Sequence, residues 1–319
     1  MLGLETVVEI AQQVDASTFN VTARKALNVY GITGGRTKTR PEDPILNGGF
    51  NNLTDPTEPG PGLDDHRVTV VVPVCVAQFP YWLRAFFGAP TTTGSASDYT
   101  HAFASGVAAL PYISLQDKLQ TNDFRRHVGM VGQEMRISLD PSADGFARAT
   151  LTFIGINEER AASAAAGTVT AAPALDRPAE SRANIMWNAV AGGQIIGGEL
   201  VFTRKLKRIR SADATGLANR IELDGKSTLG GSLKLRYQNQ TILADGWNRT
   251  ERATVMELLK SATRGFRLTC AHALLDETPV DRGGPDGVEL DVPLAAYQSA
   301  SNPALKVEAL SSIASLAAL

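Results

Sequence analysis

Apolar and polar residues alternate along this chain in short runs that stop at Gly, Pro, Asn or Asp. That period of two constrains the fold most, because only a strand sends successive side chains to opposite faces. Residues 66–76 read HRVTVVVPVCV, and residues 135–139 run through the turn DPSADG, Asp140 to Gly145, into FARATLTFI at residues 146–154, which predicts a hairpin. Residues 198–203, 231–237, 265–271, 288–297 and 304–310 are likewise short, β-rich and bounded by turn residues. The chain is therefore predicted to be mainly β.

Two helices are predicted within this pattern. Residues 79–87, FPYWLRAFF, stop at Gly88 and Pro90, where Gly accepts a left-handed cap and Pro cannot continue the helix. In the second half Asn248 is placed to cap a helix with Glu251 three residues on, and Val255, Leu258 and Leu259 form its i, i+3, i+4 stripe.

The length of 319 residues suggests two domains of about 150 residues each. Residues 31–65 are crowded with Pro, Gly, Asn and Asp and are predicted to be the longest loop. Residues 161–179, rich in Ala and interrupted by Pro, read as a linker, which places one domain at 1–160 and a second at 180–319. Both halves then show a long polar segment, strand, short helix, strand and closing hairpin, the pattern of an internal duplication. Setting Arg136 to Phe153 over Val292 to Ala309 puts strand, turn and strand in register.

Lys and Arg total 31 against 33 Asp and Glu, for a net charge of −2, so composition gives no support to a dedicated DNA binder. Glu5 and Glu9 interrupt the N-terminal apolar residues where an export signal would need a positive region and an unbroken apolar run, and no stretch reaches the roughly 20 apolar residues of a membrane span. Cys75 and Cys270 stand alone, without partners at metal-ligand spacing, which excludes a disulfide scaffold. His66, His101, His127 and His272 form no H-x-x-x-H or H-E-x-x-H pair. The segment from Asp224 to Thr228 ends like a phosphate loop, but Arg220 stands where a glycine is needed and strands follow where a helix must start, so it is read as a turn. Gly31 to Gly35 is too short for a dinucleotide fingerprint. No catalytic, cofactor-binding or metal-ligating residue is assigned, and a non-enzyme is expected. The basic run Arg204 to Arg210 is expected to be a solvated strand face or a subunit contact, and the leucines of residues 305–319 a segment that packs on a neighbour or frays.

Residues 82–94, WLRAFFGAPTTTG, are followed by DYTHAF from Asp98 to Phe103 and ALPYIS from Ala109 to Ser114. This order resembles the tail tube (major tail) proteins of long-tailed bacteriophages (siphoviruses): a short helix with a Gly-x-Pro-like stop, a Thr/Gly/Ser-rich loop, a Tyr-Thr-His-x-Phe strand, then Leu-Pro before the next strand. The turn at Leu139 to Gly145 and the strand ending at Gly155 look like the family's closing hairpin, so the specific match covers about residues 66–157. The second half lacks a clear Tyr-Thr-His-x-Phe counterpart at Gly265 to His272.

The resemblance implies two tandem β-sandwich or half-barrel domains, each with a short flanking α-helix, that assemble into stacked rings around a conduit for DNA. It implies no catalytic residues. Ring closure also disposes of the sheet edges that a strand-rich chain must hide. Two units per chain make a trimeric ring with pseudo-sixfold symmetry the geometric expectation, with a true hexamer as the competitor. Tape measure and terminator proteins are the further expected partners, DNA a transient occupant of the lumen, the virion tail the destination and the host cytoplasm the place of assembly. The near-neutral charge predicts a lumen of polar and acidic side chains. Rival readings are another ring-forming tail component, a terminator or baseplate protein, and a carbohydrate-binding β-sandwich with an aromatic site around Trp187 or Trp247.

Overall fold

The computed structural model describes residues 7–13, 15–20, 22–43, 55, 58–60, 62–96, 98–188, 190–191, 194–211, 217–280 and 287–316. The first half runs β1 Val8–Gln12, β2 Ala23–Leu27, β3 Gly31–Lys38, β4 Asp64–Pro73, α1 Phe79–Phe87, β5 Thr91–Ser95, β6 Asp98–Ala104, β7 Ile113–Gln120, β8 Asp123–Leu139, β9 Arg148–Ile154 and β10 Asn157–Ala161. β11, Thr168–Thr170, leads to the second half: β12 Ala183–Trp187, β13 Val190–Ala191, β14 Ile195–Thr203, β15 Leu206–Ile209, β16 Arg220–Leu223, β17 Thr228–Arg236, α2 Thr241–Trp247, β18 Arg252–Ser261, β19 Arg264–Leu275, β20 Glu289–Ala296 and β21 Lys306–Ser311. The chain is mainly β, as its alternation predicts.

β4 shows how the alternation works: Val68, Val70 and Val72 are buried while Arg67 is exposed. α1 has no such solvent face. Pro80 sits in its first turn, Gly88 ends it with φ of +80°, and every residue except Arg84 is buried. It is a plug rather than a surface helix. Phe86 packs on Phe153 of β9 at 5.2 Å, Phe87 on Phe202 of β14 at 5.2 Å, and Phe79 on Phe266 of β19 at 5.3 Å between ring centroids. The core is consequently continuous through both halves.

The halves repeat one another in pairing as well as in order. β1, β2, β3, β4, α1, β7, β8, β9 and β10 correspond to β12, β13, β14, β17, α2, β18, β19, β20 and β21. The antiparallel pairs β1·β7, β3·β4, β4·β9, β7·β8, β8·β9 and β8·β10 recur as β12·β18, β14·β17, β17·β20, β18·β19, β19·β20 and β19·β21. Registers recur too. Val70 opposite Leu151 matches Leu233 opposite Val292, Gly34 opposite Val68 matches Leu200 opposite Gly231, and Leu115 opposite His127 matches Thr254 opposite Cys270. Each half also carries one hairpin of its own, β5–β6 after α1 and β15–β16 between β14 and β17. The halves join where β8 pairs with β14, from Glu134 opposite Thr203 to Leu139 opposite Gly198, and where β6 pairs with β21.

Three sequence expectations are corrected. The duplication stands in a different register: β8 and β9 match β19 and β20, and β20 and β21 are not a hairpin, because β20 crosses to pair with β17 and β21 with β19 and β6. The second helix lies earlier, with Asn248 at its C-terminal end, and Val255, Leu258 and Leu259 belong to β18. There Thr254, Met256 and Leu258 are buried in a period of two, so tertiary burial overrides the apparent helical stripe. Finally, the expected loop at residues 31–65 opens with strand β3, and much of its remainder lies outside the described residues.

Residues 161–179 lie against the first half. β11 runs parallel to β2, Val76 N–H donates to Asp176 O at 2.8 Å, and Gln78 Nε2 donates to Pro173 O at 2.6 Å. No described helix is long and apolar enough to cross a membrane.

Candidate assembly interface

The joint between the halves is a strand pairing sealed by one buried cation. Arg204, just after β14, donates its N–H to Gln133 O of β8 at 2.8 Å. Its side chain, 2% exposed, reaches the carbonyl oxygens of Phe86 and Gly132 and lies over the rings of Phe87 and Phe202, 5.9 and 5.6 Å from their centroids. Burial lowers its pKa to about 10. Arg136 of β8 and Glu199 of β14 add an ion pair across the joint at 3.1 Å.

In the rest of the basic run Lys205 and Lys207 are exposed, as a solvated face requires, whereas Arg208 and Arg210 are tied inward. Arg208 donates to the carbonyls of Gly155, at 2.9 Å, and His66 and pairs with Asp65 at 2.6 Å; Arg210 donates to Asp64 O at 2.7 Å. The hairpin β15–β16 is thereby pinned onto the start of β4. Residues 305–316 pack within the chain as well: β21 lies between β19 and β6, and Arg84 donates to Leu316 O at 2.8 Å. His101, wholly buried, bridges Thr92 Oγ1 at 2.8 Å and Ile313 O at 2.9 Å.

Two edges equivalent to those of the joint have no backbone-paired strand among the described residues. β3 corresponds to β14, yet its pairing is with β4 alone. On its far edge Gly34 O accepts from Arg125 Nη1 at 2.8 Å, and Arg36 N–H donates to the Glu158 carboxylate at 2.8 Å. Charged side chains thus blunt an otherwise bare edge. The other edge continues from β19, which corresponds to β8. Residues 276–280 run on from that strand, with Asp276 N–H donating to Pro293 O of β20 at 2.9 Å, so Leu275 turns its backbone the other way, as would residues 277 and 279 in an extended continuation. Trp247, 45% exposed at the end of α2, lies beside Glu277, Thr278 and Pro279 around an open cleft.

Behind β3 lies a buried relay that sequence spacing does not announce. His66 Nε2 is 2.9 Å from His127 Nδ1, His127 Nε2 is 3.0 Å from Asp117 Oδ1, and Arg125 pairs with Asp117 at 2.7 Å. Asp117 accepts from His127 Nε2–H, and one proton lies between His127 Nδ1 and His66 Nε2. Burial first, then the charges of His127, Arg208, Arg36 and Arg125, lower the His66 pKa to about 3. Burial favours protonated Asp117, but the His127 and Arg125 hydrogen bonds outweigh it and hold its pKa below the usual carboxylate range.

His66, His127 and Glu158 offer ligand atoms within 4.8 Å of one another. The cluster suits protons better than a cation. Its two imidazoles are bonded to each other, Glu158 is engaged by Arg36 N–H and by Arg160 at 3.0 Å, and three arginines lower the His66 pKa.

The remaining candidates dissolve into structure. Asp224 to Lys226 form the turn between β16 and β17. Trp187 is buried, with Nε1 donating to Asp245 at 2.8 Å, so Trp187 and Trp247 do not make one exposed aromatic platform. His272 and Tyr297 both bond the Glu251 carboxylate. Cys75 and Cys270 are buried free thiols. Arg204 at the joint and the open β3 edge escape sequence reading because neither has a motif: one is a single cation in a basic run, the other a Gly- and Thr-rich edge.

No curated protein matches the sequence. The pattern of one family, described as phage tail tube protein, matches residues 6–296 and so spans both halves of the repeat. With that match over nearly the whole chain, and a mainly β repeat built on strand-to-strand joints, the chain belongs to the phage tail tube protein family and is a structural component of the phage tail.

Proposed function

We propose that copies of this chain close into rings, that the rings stack into the tail tube, and that DNA passes through the bore during ejection. The observation that carries this reading is the β8·β14 joint. Each chain contains two versions of one unit joined edge to edge, and among the described residues it leaves the matching edges, β3 and the end of β19, without backbone-paired strands. A contact of that kind is heterologous and generates a ring when its rotation closes. Units spanning 1–160 and 180–319, with 161–179 between them, make a trimer with pseudo-sixfold symmetry the favoured ring and a hexamer the alternative. No catalytic, metal or cofactor role is part of this reading. The tape measure and terminator proteins are its tail partners, and assembly takes place in the host cytoplasm.

Negative-stain microscopy of the purified chain at rising concentration tests the proposal. Tubes of stacked rings are expected. Single rings that never stack point instead to a terminator or baseplate role, and monomers at every concentration overturn the ring reading.

A further inference from the structure

We infer that β3 of one subunit adds as an antiparallel strand to residues 275–280 of a second copy of this chain, in the register that joins β14 to β8 inside each chain. The inference rests on the ring reading above and identifies the residues that make its subunit contact.

The register follows from the repeat. Gly34 of β3 occupies the place of Leu200 in β14, because their partners Val68 and Gly231 are equivalent, so Lys38 occupies the place of Arg204 and Arg36 that of Phe202. On the other side, Thr152 opposite Glu134 in β9·β8 matches Pro293 beside Asp276, so Asp276 takes the place of Glu134 and Glu277 that of Met135, while Leu275, opposite Leu294, stands for the bulged pair Gly132 and Gln133. Carried over, the Arg204 N–H to Gln133 O bond becomes Lys38 N–H to Leu275 O. Thr37 then faces Asp276, Arg36 faces Glu277, and Gly34 faces Pro279.

Backbone direction agrees on both sides. Thr39 N–H bonds Leu63 O at 3.4 Å, so with the two-residue alternation of a ladder Arg36 and Lys38 present N–H and C=O away from β4. Asp276 bonds β20, so in an extended continuation Glu277 and Pro279 present theirs away from β20. The pairing therefore matches open groups to open groups. The single misfit is offset in advance: Pro279 has no N–H for Gly34 O, and that oxygen already accepts from Arg125.

Charge and shape agree as well. Arg36, which is exposed and pairs with Asp64 at 2.8 Å in the free subunit, faces exposed Glu277, while the joint inside the chain has its Arg136–Glu199 pair. At the internal joint β14 covers the aromatic end of α1. At the external one, Trp247 at the end of α2 is left bare, and an incoming β3 brings the Lys38 ammonium over it. In the free subunit the Glu158 carboxylate holds Arg36 N–H, so the incoming strand displaces it, and Glu158 keeps its pair with Arg160.

The test is a cysteine pair. Thr37 and Asp276 form a non-hydrogen-bonded pair in this register, with Cα atoms about 4.5 Å apart, within disulfide reach. The double variant Thr37→Cys/Asp276→Cys, oxidised after assembly, is expected to give dimers and then trimers on a non-reducing gel. The off-register control Thr33→Cys/Asp276→Cys is expected to stay monomeric. Hydrogen exchange of the unmodified chain is the second readout, with the amides of Lys38 and Glu277 gaining protection on assembly. Rings or tubes with neither the cross-link nor the protection overturn this inference and leave the tube reading standing. A chain that forms no rings at any concentration overturns both.

Discussion

The guanidinium of Arg204, at the end of β14, is held by the carbonyl oxygen of Phe86 in the last turn of α1. Among the described residues its partners are backbone carbonyls and aromatic rings, not a carboxylate. The contact binds the second half's first long strand to the first half's helix, at the point where β8 and β14 pair. One side chain thereby ties the two halves together at the β8·β14 pairing.

Arg204→Ala should lower stability by about 2–4 kcal/mol, because it leaves a cavity against Phe87 and Phe202 and strips two buried carbonyls of their donor. Arg204→Met, which refills the volume without the charge, should recover more than half of that loss, since a buried charge is costly in itself. Urea denaturation of the three proteins decides the matter. Equal stability of Arg204→Ala and the parent chain would refute the role given to this residue.

Acid should unfold the chain through His66. In the unfolded chain this imidazole takes a proton near pH 6.5, whereas the folded chain resists until about pH 3, so stability is complete above 6.5 and falls as pH drops towards 3. The slope is about 1.4 kcal/mol per pH unit. Between pH 6.5 and 4.5 the loss from this group alone is about 3 kcal/mol. Asp117, whose pKa is lowered, adds a further loss below the ordinary carboxylate range. His66→Asn should flatten the decline by one proton, seen as a smaller shift of urea midpoint between pH 7 and 4.5. Parallel pH dependence in variant and parent would refute it.

What the sequence made legible was whatever one element decides for itself. α1 reads correctly to the residue because Pro80, Gly88 and Pro90 punctuate it locally. β4 and β9 read correctly because each buries one face and alternation reports that face. β3 reads as loop because GITGGRTK has no buried face to alternate against; it is held by β4 on one edge and by side chains on the other. β18 reads as a helix because Val255, Leu258 and Leu259 fall at i, i+3 and i+4, whereas pairing with β12 and β19 buries Thr254, Met256 and Leu258 in a period of two. The His66–His127–Asp117 relay joins three separate strands and has no local trace.

The two thiols provide a simple probe of global unfolding. Cys270 is fully buried and desolvation raises its pKa to about 12, while Cys75, also fully buried, accepts the Asp176 N–H on Sγ at 3.2 Å. A thiol reagent at pH 8 should label neither in the folded chain and both in urea. Labelling of Cys270 in the folded protein would show that β19 opens locally, and it would remove the low background that engineered cross-links at the surface require.

The segment between β3 and β4 should serve contact between successive rings rather than folding of the subunit. Its two ends are held together: Thr39 N–H bonds Leu63 O, and Gly60 N–H bonds Pro41 O at 2.8 Å. Joining residues 41 and 60 through a short Gly-Ser turn therefore removes residues 42–59 without disturbing the β3·β4 register from Gly31 to Lys38. The second half supports this separation, since β15–β16, inserted at the equivalent place between β14 and β17, is pinned to the body by Arg208 and Arg210. The shortened chain should keep its urea midpoint within about 1 kcal/mol of the parent and still close into rings, because surface loops contribute little to stability. Stacking should fail, leaving single rings in negative stain where the parent gives tubes. Normal tube growth by the shortened chain would assign the ring-to-ring contact elsewhere, and loss of rings together with tubes would place these residues in the subunit contact itself.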